Sequence, residues 1–237
     1  SPIYTFRFIV GEHVITDELI FGGLSCVFWT LTLITTIKYV YFALNADNRG
    51  EGGIFALYAL VRRYKAKWVI YPAVIGCATL ISDGFITPAI SVTSAIEGLR
   101  LLHPVSLNTI IGIVIVILVA LFIFQQFGSV IVGRTFGPVM LVWFLYIAII
   151  GGMDVIQTPE VLKALNPVYA FNLLVKYPQG FWILGAVFLC TTGAEAMYSD
   201  LGHVGKENIR VSWAFVKIAL LFSYFGQGAW LLEHRGS

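Results

Sequence analysis

The chain has 237 residues, of which 58% are hydrophobic and 12% charged, with a formal net charge of +2. Soluble domains carry about 25% charged residues, so this composition excludes an ordinary soluble protein and reads as an integral membrane protein. The small net charge, with basic residues gathered at the ends of apolar runs, gives no footing for nucleic acid.

Residues 1–10 are apolar but short of the roughly 20 residues that cross a bilayer, and are expected to be the second half of a span. No charge falls between Glu18 and Lys38, and the apolar run continues to Leu44 as the first complete span. Gly, Asn and charge then interrupt it over 45–53. Residues 54–64 form a short amphipathic piece ending in Arg62, Arg63, Lys65 and Lys67, expected at the membrane interface. Further spans are expected over 68–93, 109–124, 137–151, 181–197 and 213–232, with 153–180 as a polar loop. That makes six full spans and one half span in a single transmembrane domain over 1–237. The chain starts with Ser and shows no signal-peptide pattern, so it is expected to be a fragment.

With the loop after the first full span placed inside, the inner loops hold Arg49, Arg62, Arg63, Lys65, Lys67, Arg134, Lys206 and Arg210. The outer ones hold Arg7, Arg100, Lys163, Lys176 and Arg235. Eight against five favours this orientation in a multi-pass cell-membrane protein.

Two spans carry acids. Asp83, Thr87 and Ser91 fall at i, i+4 and i+8 of the 68–93 span, about 40° of rotation per step and so one helix face. A carboxylate within a span must be protonated, paired or wetted, and usually marks a pathway; a hydrogen bond to a neighbouring helix is the plainer alternative. Pro88 cannot donate a backbone hydrogen bond to the Gly84 carbonyl. Neutral oxygens clustered in this way can replace the hydration shell of an alkali cation. Asp83 and Ser91 are separated by about 12 Å along a helix axis, so the face is a path with more than one position rather than one site.

Glu195 repeats the pattern in the 181–197 span, where Thr192 is expected to share its helix face at i, i+3 and Gly193 permits unwinding. An interrupted helix there would turn carbonyls toward an ion, and a structural acid paired with a base is the alternative. The stretch Asp47 to Gly53 lacks the Lys-Ser/Thr ending of a phosphate loop. It reads as a tight turn, or as a gate or hinge at Gly50, Glu51 and Gly52, with Pro88 and Gly193 as further hinge candidates. Cys26, Cys77 and Cys190 have no metal or disulfide spacing and read as small core residues. His203 reads as a solvated histidine.

Six motifs, in order along the chain, resemble those of the KUP/HAK/KT potassium uptake permeases. They are Ser1-Pro2-Ile3-Tyr4, the stretch from Ala46 to Gly53, the stretch from Asp83 to Ser91, Phe136-Gly137-Pro138-Val139-Met140, Gly193-Ala194-Glu195-Ala196, and Tyr224-Phe225-Gly226-Gln227-Gly228-Ala229. The resemblance implies an all-α polytopic membrane protein with a partial LeuT-like inverted-repeat fold of the amino acid, polyamine and cation superfamily. Of twelve spans, the chain would hold half of span 1 and then spans 2 to 7; the start of span 1, spans 8 to 12 and any cytoplasmic tail would be missing.

The implied activity is potassium uptake in symport with protons, with no cofactor beyond the transported K+ and H+. The resemblance places Tyr4, Asp83, Thr87, Ser91, Thr192 and Glu195 along the potassium path. Potassium would be ligated by Tyr4, Thr87, Ser91 and Thr192, with Glu195 and Asp83 coupling protons. Its partners would be potassium ions, protons, the lipid bilayer and a second copy in a homodimer. An amino acid or polyamine carrier of the same superfold is the alternative. A membrane-embedded hydrolase using Asp83 and Glu195 is less favoured, because no nucleophile is paired with a base and the four histidines lie in loops or ends.

Overall fold

The computed structural model describes residues 16–63, 67–98, 106–126, 129–176 and 180–234. The expected half span over 1–10, with Tyr4, and the loop of Arg100 and His103 lie outside them. Among the described residues the protein is helical, with a single isolated bridge between Asn48 and Glu51. Among the described residues five stretches are long and apolar enough to cross a membrane: Asp17–Asn45, Lys67–Glu97, Leu107–Phe124, Gly133–Gln157 and Lys206–Glu233. The protein is therefore an all-α polytopic membrane protein.

Helix α1 (Asp17–Thr30) starts where the Thr16 side chain accepts a hydrogen bond from the Leu19 amide at 3.3 Å, with Asp17 and Glu18 in the first turn, where the helix dipole favours acids. From Leu31 to Phe42 the same rod continues as a π-helix. The wider turn is visible in its burial. Leu31, Thr35, Val40 and Leu44 are buried in steps of four, five and four residues, longer than the 3.6-residue α-helical turn. The Thr36 hydroxyl donates to the Leu31 carbonyl, five residues back, at 3.2 Å.

Helix α2 (Ile54–Arg62) follows, then α3 (Ile70–Glu97), α4 (Leu107–Gln125) and α5 (Ser129–Gln157). A 3-10 turn (Pro159–Leu165) leads into α6 (Pro167–Lys176). The polar loop expected over 153–180 is thus largely helical. Asn166 caps α6 by accepting from the Val168 amide at 3.0 Å, and Pro167 takes the first helical position, where its missing amide costs nothing. Leu173 is buried against Gly22 of α1, whose missing side chain leaves room for it. Ser25 and Trp29 of α1 donate to the carbonyls of Asn166 and Leu165 at 2.9 and 3.2 Å. Charged residues at 160, 163 and 176 mask an apolar stripe that α1 covers.

The chain closes with α7 (Gly180–Phe188), a 3-10 turn (Leu189–Thr191), α8 (Ala194–Ser199), α9 (Leu201–Val204) and α10 (Lys206–Glu233). The described residues form two compact units, one within 1–64 and 143–237 and the other within 65–142.

In the first unit α1, α6, α7 and α10 share one core that includes Leu24, Val27, Val161, Val187, Tyr224 and Phe225. The indole N–H of Trp213 donates to the Thr36 hydroxyl at 3.1 Å, and the Phe28 and Phe225 rings meet edge to face at 6.4 Å, tying α10 along α1. Gly151 and Gly226 let α5 and α10 touch backbone to backbone, as small residues do in membrane helix pairs. Cys26 and Cys190 are buried and Cys77 half-buried, all as free thiols.

In the second unit α3 packs on α4. No residue of α3 is buried there.

Candidate functional site

Within the second unit, the helical spacing of the acid-bearing face is realised. The Thr87 hydroxyl donates to Asp83 Oδ1 at 2.6 Å, so the two side chains meet across one turn of α3. Both are half-buried, and Ser91 is exposed one further turn on. Asp83 is therefore not sunk in a core formed by its own unit, as the apolar sequence around it suggests, because α3 is covered on too little of its circumference. Pro88 sits inside the helix and leaves the Gly84 carbonyl without its usual donor. Carboxylate, hydroxyl and freed carbonyl thus follow one another within little more than one turn.

Glu195 belongs to the first unit, and there the helix is broken. The run read as one span over 181–197 divides into α7, the 3-10 turn and α8. Thr192 turns to an extended ψ of 130°, and Gly193 takes the left-handed conformation at φ 90° and ψ −7°. A residue with a Cβ resists that conformation, which is why a glycine stands here. The shared helix face expected for Thr192 and Glu195 does not form, since the break lies between them. Instead Glu195 Oε1 accepts from the Gly193 amide at 3.3 Å, and the Thr192 amide reaches the Leu189 carbonyl at 3.4 Å. Thr191 is buried and donates to the Phe188 carbonyl at 2.8 Å, while Thr192 is exposed. A helix end frees backbone carbonyls and amides. Beside a half-buried carboxylate, such groups suit a monovalent cation or a proton.

The π-helix (Leu31–Phe42), which carries Tyr39, packs against α8. The glycine-rich stretch after it is a two-residue hairpin. Asn48 and Glu51 exchange backbone hydrogen bonds at 2.8 and 3.2 Å, with Arg49 at φ 59° and Gly50 at φ 85°. The Asp47 carboxylate accepts from the Gly50 amide at 2.8 Å. Beyond the turn the chain lies on α8: a Cβ on Gly52 would fall onto the Tyr198 carbonyl oxygen, and the Tyr198 hydroxyl donates to the Ala46 carbonyl at 2.6 Å. Burial, with the Asp47 charge beside it, raises the Tyr198 phenol above its ordinary pKa.

Tyr39 and Tyr198 were not legible as site residues. Each is a tyrosine in an apolar run, and only the approach of α8 to the 39–53 segment gives them a role.

Among the described residues no three His, Cys, Asp or Glu side chains gather to hold a metal ion. A cavity of about 270 Å3 lies between the end of α5, the 3-10 turn and α10, but Val155, Leu162, Leu221 and Phe225 wall it with hydrocarbon, which offers an ion nothing.

A family model described as the K+ potassium transporter integral membrane domain matches residues 1–237. Similar proteins include the probable potassium transport system protein Kup of Flavobacterium psychrophilum, 58% identical, and Kup 2 of Lactococcus lactis subsp. cremoris, 54% identical. Each alignment covers 100% of this chain and 36% of the relative. The Kup protein of Clostridium perfringens is 52% identical over 100% of this chain and 37% of its own length. The chain thus spans about a third of the length of the curated relatives it matches. No solved structure matches it.

Proposed function

The chain belongs to the K+ potassium transporter family by its match to that family's integral membrane domain over residues 1–237, and we propose that it is the ion-path portion of a proton-coupled potassium uptake system. The observation that supports this most directly is the helix break at Leu189–Gly193, with the Glu195 carboxylate folded back on it. An interrupted span offers backbone oxygens to a cation, and the Glu195 carboxylate folded back on the break supplies a group that can take up and release a proton beside them. In this reading Asp83, Thr87 and Ser91 form one wall of the potassium path, Thr192 and Glu195 a second, and Tyr4 a third. Glu195 is the proton-coupling acid. The architecture is read as an inverted-repeat transporter of the LeuT type, with lipid around it and a homodimer as its assembly.

Uptake of potassium or rubidium by the full-length protein, in a cell lacking other potassium uptake, tests this. Asp83→Asn is expected to abolish uptake, and Glu195→Gln to leave uptake that no longer responds to the proton gradient. Wild-type uptake and coupling in both variants, at wild-type protein levels, would overturn the assignment.

A further inference from the structure

The hairpin is more than a surface connection, because its two ends differ in what surrounds them. At the tip, nothing lies within 4 Å of where a Gly50 side chain would stand. At the base every position is engaged. A Cβ on Gly52 would fall onto the Tyr198 carbonyl and stand 2.9 Å from the Leu201 Cβ, and Gly53, at φ 90°, would place a Cβ 3.5 Å from the Ser199 Cα. The Glu51 carboxylate covers Gly202, the Tyr198 hydroxyl donates to Ala46, and Lys206 donates to the Asn45 side chain. One chain segment thus grips the backbone of 198–202, which is the end of the short helix that bears Glu195 and the turn that follows it.

That helix cannot fix its own position. Helix α8 has six residues, fewer than two turns, and isolated helices shorter than about 12 residues are marginal in water. It begins at a left-handed glycine, whose backbone is the most permissive available. Its placement therefore comes from its neighbours, which are the π-helical stretch at Tyr39 and the hairpin that continues it.

We infer that residues 45–53 are a clamp that sets the position of Glu195, with Glu51, Gly52 and Tyr198 as positioning residues. The inference rests on the reading of Glu195 as the proton-coupling acid. Charged and titratable groups on the elements packed around α8 are Lys38, Tyr39 and Tyr41 of the π-helix, Asp47, Arg49 and Glu51 of the hairpin, and Asp200 and His203 beyond α8. Loosening the clamp moves Glu195 among these charges, so the pH response of transport shifts while the transport machinery stays in place.

The test is rubidium uptake against pH by the full-length transporter in liposomes. Tyr198→Phe, which removes only the hydroxyl bonded to Ala46, is expected to shift the pH midpoint by several tenths of a unit with the maximal rate largely kept. Combined with Glu195→Gln it should add nothing further. If Glu195→Gln flattens the pH response but Tyr198→Phe leaves the midpoint in place, the clamp is overturned and the reading of Glu195 stands. If Glu195→Gln keeps the wild-type pH response, that reading fails, and the clamp's assignment to it fails too.

A second measurement does not depend on the stability of Tyr198→Phe. A thiol cross-link between Glu51→Cys and Gly202→Cys, in a background without other cysteines, should leave uptake and its pH midpoint as they are in the reduced protein. Uptake that is blocked by the cross-link and restored by reductant would show that the hairpin must release, and would overturn the clamp.

Discussion

Thr87 and Asp83 are joined by a 2.6 Å hydrogen bond from hydroxyl to carboxylate, one turn apart on α3, in a helix with no buried residue in its own unit. The bond commits one lone pair of Asp83 Oδ1 and orients the rest of the carboxylate.

The bond fixes the orientation of the Asp83 carboxyl, so with Asp83 on the path Thr87→Val is expected to raise the rubidium KM several-fold. Thr87→Ser, which keeps the hydroxyl, should remain close to wild type. Uptake KM in the full-length protein distinguishes the two, and equal KM values for Val and Ser would dissociate the bond from ion binding.

Gly193 at φ 90° makes a side chain costly, by about 1–2 kcal/mol. Gly193→Ala should lower the thermal unfolding temperature in detergent, and Gly193→Asn should lower it less, because Asn tolerates the left-handed region. Gly185→Ala, within α7 and with open space around it, is the control and should be neutral or stabilising.

The α5–α10 contact admits no side chain at Gly151, where a Cβ would meet the Phe222 backbone. Gly151→Leu is expected to give little folded protein, while Gly133→Ala, in open space on the same helix, should express normally. Fluorescence-monitored size exclusion reads the difference.

The bond from Trp213 to Thr36 pins α10 to the π-helical stretch. Trp213→Phe and Thr36→Val should each destabilise the protein, and the double variant should cost less than their sum, with a coupling of about 1 kcal/mol. Thermal unfolding of the four proteins measures it, and strict additivity would mean that the bond contributes nothing.

Tyr198 supplies a pH signature of stability. Its raised pKa means that the folded state holds the phenol proton more tightly than the unfolded chain. The contribution is complete below the ordinary tyrosine value of about 10 and is lost as pH rises through the folded value. Wild type should therefore lose thermal stability above about pH 10 more steeply than Tyr198→Phe. Parallel curves would remove the phenol from the account.

Sequence by itself determined the class of the protein, its long spans and the meeting of Asp83 with Thr87. These depend on local facts, since a bilayer demands a long apolar run and a helix brings i and i+4 together. It also marked Gly193 as a place where a helix could yield. Tertiary structure decided what surrounds those positions. The helical stretch from Pro159 to Lys176 is hidden in sequence by Glu160, Lys163 and Lys176, and is held where Leu173 of α6 packs on Gly22 of α1. The π-helical turn is read from burial at 31, 35, 40 and 44. Tyr198 and Ala46, 152 positions apart, become partners only when the hairpin lies on α8. No spacing rule along one element reaches such pairs, because the contacts that hold Glu195 in place come from a segment that is remote in sequence and adjacent only in the fold.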